Sequence, residues 1–126
     1  MKTKVTKIFK FEMAHQLESC ESEDCKNIHG HSYKCEVTFT SFGLNKDGMV
    51  CDFKIIKEIV EPITNKYDHA FLTKENYGVN PTAENIAWAL WKDISSALST
   101  AVGGSSLLVD KIVLYETDTC YVTIER

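Results

Sequence analysis

The chain has one arginine, Arg126, against thirteen lysines in 126 residues. An anionic substrate therefore has to be held mainly by lysine, backbone N–H groups or a metal. No apolar run approaches the length of a membrane span, which excludes a helical membrane protein. The opening Met1-Lys2-Thr3-Lys4 leads into alternating lysine and apolar residues with no h-region, so no signal peptide is expected and a cytoplasmic protein is. Positive charge is also in short supply overall. The net charge of −4 argues against non-specific nucleic-acid binding. Five cysteines is an odd number, spaced without a disulfide-framework pattern. The expectation is a reducing cytosol with free thiols. Cys20 and Cys25 are too far apart for a C-x-x-C redox pair. Cys35 alternates with Tyr33 and Val37 and reads as buried filler, and Cys51 and Cys120 read the same way. There is no internal repeat, linker or low-complexity segment.

What is present is an ordinary globular composition, 44% apolar and 25% charged. It implies a single domain over residues 1–126, long enough for a real core. Residues 4–15 predict a strand in which Phe9, Phe11, Met13 and His15 share a face. Residues 16–28 are acidic and small through Glu18–Asp24, a loop. Alternation resumes over 31–42, with Tyr33, Cys35, Val37 and Phe39 on the face of His31. Asn45 to Gly48 signals a turn. Asp52 is a good N-cap for a helix carrying Ile56, Ile59, Val60 and Ile63, with Pro62 near its last turn, where a kink or early end is expected. Residues 64–80 are a polar connection. Thr82 caps a second helix with the stripe Ile86, Leu90, Ile94 and Leu98, ended by Gly103-Gly104-Ser105. Leu107 to Tyr115 and Cys120 to Glu125 are two further strands around a Thr117-Asp118 turn. The order β-β-α-α-β-β predicts an α+β fold, a four-stranded antiparallel sheet with two helices on one face. Such a sheet has two free edges, to be covered by lysines or by subunit association.

Three of the four histidines lie in or near Cys25-Lys26-Asn27-Ile28-His29-Gly30-His31. His29 and His31 project to one side of an extended backbone, and Gly30 between them allows close approach. If the first two strands pair antiparallel, His15 joins them. Three imidazoles with a fourth position open are the ligand set of a catalytic zinc. A plain histidine network is the alternative. Imidazole favours zinc over hard cations such as magnesium.

Cys25 is open to two readings: a fourth ligand, which would make the site structural, or a thiol beside a cation that favours its thiolate. Asp68-His69 is either a polar helix-flanking segment or an acid–base couple. Glu116, at the end of an apolar strand, either caps that strand or accepts the bidentate donor edge of a ligand.

Six motifs occur here in the order seen in one family. They are Phe11-Glu12-Met13-Ala14-His15, Cys25-x-x-x-His29-Gly30-His31-Ser32-Tyr33 and Gly48-Met49-Val50-Cys51-Asp52-Phe53. Tyr67-Asp68-His69, Pro81-Thr82-Ala83-Glu84-Asn85 and Tyr115-Glu116-Thr117 follow. Together they resemble the 6-pyruvoyl-tetrahydropterin synthase family along essentially the whole chain. The resemblance implies a tunnelling fold: three subunits join their sheets into a barrel, and two such trimers stack as a homohexamer, with active sites at subunit contacts. It implies zinc held by His15, His29 and His31. It further implies a catalytic Cys25, a catalytic Asp68 and His69 pair, a pterin-anchoring Glu116, and Thr82 and Glu84 on the substrate side.

Within the family, a cysteine three residues clear of His-Gly-His resembles the 6-carboxytetrahydropterin synthases of the queuosine pathway. The biopterin-forming enzymes usually have a longer spacer. A folate-linked branch carries glutamate where this chain has Lys26. Gln16 departs from the arginine common among relatives, and Lys26 is a possible substitute for holding triphosphate. The implied reaction takes 7,8-dihydroneopterin triphosphate to 6-carboxy-5,6,7,8-tetrahydropterin, with release of acetaldehyde and triphosphate. The rivals are a 6-pyruvoyl synthase and a non-catalytic, zinc-stabilised pterin-binding module.

Overall fold

A computed structural model of the chain describes residues 2–18 and 20–126; Met1 and Ser19, the latter part of the expected loop, lie outside the described residues. β1 (Thr3–His15) and β2 (His29–Ser41) form a long antiparallel pair. Its register runs without a slip from Thr3 opposite Ser41 to His15 opposite His29. Between them lies α1 (Glu23–Lys26), a single turn inside the segment expected to be loop.

α2 (Phe53–Thr64) begins at Asp52, whose carboxylate accepts the Lys54 amide, and it runs through Pro62 for two more residues. The expected early end is therefore not seen, although Pro62 has no amide to bond back to the Glu58 carbonyl oxygen. β3 (Phe71–Leu72) and α3 (Lys74–Tyr77) follow in the polar connection. α4 (Ala83–Ala101) is capped by Thr82, whose hydroxyl accepts the Asn85 amide. β4 (Leu108–Thr117) and β5 (Cys120–Glu125) close the chain as a hairpin.

The expected four-stranded antiparallel sheet needs correction. The sheet has five strands in the order β3-β1-β2-β4-β5 and is mixed, because β3 runs parallel to β1 at Ala14 and His15. Two residues are too short for any alternation to show, so nothing in the pattern announced this strand. α2 and α4 supply the main helical packing. Ile56, Val60, Ile86, Leu90 and Ile94 are fully buried against Phe11, Tyr33, Val37, Phe39, Ile112 and Leu114 of the sheet. Each such apolar side chain contributes about 1.5–3 kcal/mol on burial. This core holds the strand ends from which the histidines project. β3 covers only the Ala14–His15 end of β1, so most of that edge and the outer edge of β5 have no strand beside them among the described residues.

Candidate metal centre

The last rung of the β1–β2 ladder sets His15 directly opposite His29, and Met13 opposite His31. Directly opposed residues share a face of the sheet, and His31 is the diagonal neighbour two residues on. One ligand nitrogen from each of His15, His29 and His31 lies within 4.8 Å of the others. The site is thus built by register, not by a loop.

The tautomers follow from the backbone. His15 Nδ1 lies 2.8 Å from the Pro81 carbonyl oxygen, and His29 Nδ1 lies 2.7 Å from that of Asn27. A carbonyl oxygen can only accept, so both Nδ1 atoms carry the proton and donate. Both Nε2 atoms then present lone pairs, and they face each other at 2.9 Å. His31 Nε2 is buried and has no hydrogen-bond partner. Glu116 adds a carboxylate oxygen 3.3 Å from His15 Nε2 and 3.4 Å from His31 Nε2. With the rings neutral, several electron pairs converge here, an arrangement that a bound cation would relieve. The donor set therefore fits a divalent metal, and its nitrogen content favours the borderline transition metals over magnesium or calcium.

Burial holds the His31 pKa below its ordinary value, and His15 and His29 push the same way against the raising effect of Glu116. A neutral imidazole is the form a metal binds. Tyr33, stacked on Phe11 with ring centroids 5.1 Å apart, closes the floor, with its hydroxyl 3.4 Å from His15 Nδ1. Burial and the Glu116 charge push that phenol's pKa far up, so it stays protonated.

Glu116 reaches the histidines for a reason visible in β4. Ile112 and Leu114 face the core, and Glu116 continues that face. The β4–β5 register shifts between Tyr115 and Thr117, a bulge at Glu116. Bulges re-aim side chains at sheet ends.

The other singled-out residues are placed as follows. Cys25 lies on α1 and is half-buried; it is joined to Cys20 in a disulfide. This corrects the expectation of free thiols for both. The turn of α1 brings the two Cα atoms to 6.4 Å across a separation of five residues. Two-residue spacing is not needed when a helical turn folds the chain back. Cys35, Cys51 and Cys120 are free.

Asp68 and His69 sit after α2 at the β3 edge. One Asp68 carboxylate oxygen accepts the Glu12 amide at 2.9 Å, and the other lies 3.0 Å from His69 Nδ1. The Glu12 amide first, and the His69 imidazole after it, hold the Asp68 carboxyl below its usual value. His69 has φ +60, uncommon for a residue with a Cβ, and is pinned there by its own amide donating to the Glu12 carbonyl oxygen at 2.6 Å. Its side chain is 81% exposed and borders a hollow of about 440 Å³ with Gly30, His31 and Ser32. Thr82 spends its hydroxyl on the α4 cap, and Glu84 is exposed in the first turn. Sequence reasoning missed Pro81 and Asn27, which act through main-chain carbonyls that no side-chain motif encodes. Tyr33, expected on the face of His31, lies beside that ring, with centroids 5.7 Å apart.

A sequence profile described as 6-pyruvoyl tetrahydropterin synthase matches residues 4–126. The chain belongs to this family. Among curated members, the 6-carboxy-5,6,7,8-tetrahydropterin synthase of Rickettsia felis is 29% identical over 140 residues, covering 96% of this chain and 99% of the relative. That of Rickettsia typhi is 31% identical over the same coverage. That of Aquifex aeolicus is 29% identical over 154 residues, covering 94% and 95%. In structure, the chain superposes on the Caenorhabditis elegans 6-pyruvoyl tetrahydropterin synthase with a TM-score of 0.81 at 23% identity, covering 100% of this chain and 96% of that one. The Plasmodium falciparum 6-pyruvoyl tetrahydropterin synthase gives 0.79 at 18% identity, with 99% and 98% covered. These two likenesses establish the shared fold. No helix among the described residues is long and apolar enough to cross a membrane.

Proposed function

We propose that this chain is a zinc-dependent 6-carboxy-5,6,7,8-tetrahydropterin synthase, a lyase converting 7,8-dihydroneopterin triphosphate to the 6-carboxy product with release of acetaldehyde and triphosphate. Its place is then queuosine biosynthesis in the cytoplasm. The observation that carries the reading is the convergence of ring nitrogens from His15, His29 and His31 in a chain whose full-length relatives bear that enzyme name. The four-residue step from Cys25 to His29 supports the carboxy branch over the pyruvoyl one.

His15, His29 and His31 hold the zinc, which supplies Lewis-acid stabilisation of charge developing on substrate oxygens. Cys25, once reduced, removes a side-chain proton as thiolate. His69 moves the second proton at Nε2, because its Nδ1 is turned to the Asp68 carboxylate. Asp68, anchored by the Glu12 amide, orients that ring. Glu116 accepts the donor edge of the pterin in bidentate fashion and keeps the side chain aligned. Thr82 serves the substrate side through the α4 cap, and Glu84 presents its carboxylate from the same turn. The 81% exposure of His69 and the uncovered sheet edges support a homohexamer, a dimer of trimers, in which a neighbouring subunit completes each site.

The deciding experiment is incubation of the metal-loaded protein with 7,8-dihydroneopterin triphosphate and mass analysis of every product. Acetaldehyde with a 6-carboxypterin is the expected result. A diketo side chain would establish the pyruvoyl reaction instead, and retained substrate bound to the protein would leave a pterin-binding module.

A further inference from the structure

Cys20 has no part in the chemistry above, yet it is positioned against the one thiol that does. The segment joining β1 to β2 is tied down independently of any sulfur bond. The Leu17 amide donates to the Cys25 carbonyl oxygen at 3.1 Å, and Gln16 Nε2 donates to the Lys26 carbonyl oxygen at 3.0 Å. The Glu18 amide donates to Asn80 Oδ1 at 3.1 Å. These contacts fold residues 20–25 back on themselves. The resulting Cα separation of 6.4 Å lies within the range that a disulfide spans. Both sulfurs also lie close to the Ser22 carbonyl oxygen, at 3.2 Å for Cys20 and 2.8 Å for Cys25. Both residues are half-buried, so a small oxidant reaches them. The remaining cysteines are poor substitutes. Cys35 is buried, with its thiol pushed up to about 12 by that burial, and burial also raises Cys51. Cys120 is exposed at the start of β5, on a different element.

We propose that Cys20 is a resolving thiol for Cys25, making the pair a reversible oxidation site that silences the enzyme. The inference rests on Cys25 being the working thiol. With a hydroperoxide as oxidant, the Cys25 thiolate attacks the peroxide oxygen, giving the sulfenic acid and, for hydrogen peroxide, hydroxide. The Cys20 thiolate then attacks the Cys25 sulfur, forming the S–S bond and expelling a second hydroxide. Overall, two thiols and one hydrogen peroxide become one disulfide and two waters. The linked Cys25 has neither a proton to lose nor a lone thiolate to accept one. A dithiol reductant reverses the step by exchange and leaves as its own cyclic disulfide. The pairing also spares Cys25 the further, irreversible step to sulfinic acid.

The test treats reduced, metal-loaded wild-type protein and Cys20→Ala with hydrogen peroxide, alkylates free thiols, and maps peptides by mass without reduction. Turnover of 7,8-dihydroneopterin triphosphate is followed before peroxide, after it, and after dithiothreitol. Wild type should lose the mass of two hydrogens at a Cys20–Cys25 link, lose turnover, and regain it with dithiothreitol. Cys20→Ala should be fully active when reduced, then gain two oxygens at Cys25 and stay inactive after dithiothreitol. Equal metal content in the two proteins checks that the variant is folded. Absence of the link in wild type overturns the proposal. So does a Cys20→Ala protein that dithiothreitol rescues as fully as wild type, or a linked wild type that keeps its turnover. A link that forms in protein never able to turn over the pterin sustains the thiol pair and overturns the catalytic reading instead.

Discussion

His15 Nε2 and His29 Nε2 stand 2.9 Å apart and, with each ring neutral and its N–H given to a main-chain carbonyl oxygen, turn their lone pairs on each other. That arrangement is costly in an empty site and favourable around a cation. Removing one ligand should therefore do more than weaken binding. His31→Ala is expected to release the metal on dialysis, with a loss in affinity beyond the roughly 10–100-fold that an outer-shell partner costs. Metal analysis of the dialysed protein and chelator competition measure it. Added zinc should raise the Tm of wild type and leave that of the variant in place. A variant that stays fully metallated would sink the three-histidine site.

Glu116 stands 3.3 Å and 3.4 Å from two of these nitrogens and is the only carboxylate contacting the cluster among the described residues. Its proposed work is on the pterin. Glu116→Gln preserves shape but removes the charge that strengthens a bidentate acceptor. A hydrogen bond to a charged group contributes about 1.5–3 kcal/mol, so pterin dissociation constants should rise roughly 10–100-fold. The metal should remain at stoichiometric zinc, because three imidazoles are untouched. Calorimetric titration with a pterin and metal analysis on the same sample separate the two effects.

The four longer strands and the shared face of the first two were legible because they rest on side chains. Phe9, Phe11 and Met13 alternate up to His15, and Tyr33 to Phe39 do the same, which places the histidines on one face. The Asp52 and Thr82 caps were legible for the same reason. Elsewhere the information lies in the main chain or in single turns. β3 is two residues long, α1 is one turn, and the bulge at Glu116 leaves no residue pattern. The Cys20–Cys25 pairing depended on that unseen turn.

Asp68 offers a pH test whose sign can be worked out. Its folded carboxyl titrates below the usual 3.8, held there first by the Glu12 amide. The stabilisation is present above the unfolded value and is lost as pH falls through the folded value, because the unfolded chain then takes up the proton first. Wild type should exceed Asp68→Asn in stability near about pH 6, and the gap should close toward about pH 2. Urea melts of metal-free protein at both ends measure it. A gap that widens on acidification would contradict the Glu12 contact.

The two helix caps give a matched pair that isolates the route from Thr82 to the metal. Asp52 and Thr82 each accept one first-turn amide, at 2.8 Å and 3.1 Å. Replacing either with alanine costs about 1 kcal/mol. At this size that lowers Tm by roughly 3–6 °C in both variants. Only Thr82 is bonded in sequence to Pro81, whose carbonyl oxygen fixes the His15 tautomer at 2.8 Å. Thr82→Ala should therefore also weaken metal affinity, toward the lower end of the roughly 10–100-fold range for outer-shell partners. Asp52→Ala should leave it unchanged. Chelator competition on the two variants at matched Tm loss reads the difference. Equal affinities would mean that the Pro81 carbonyl holds its place without the cap.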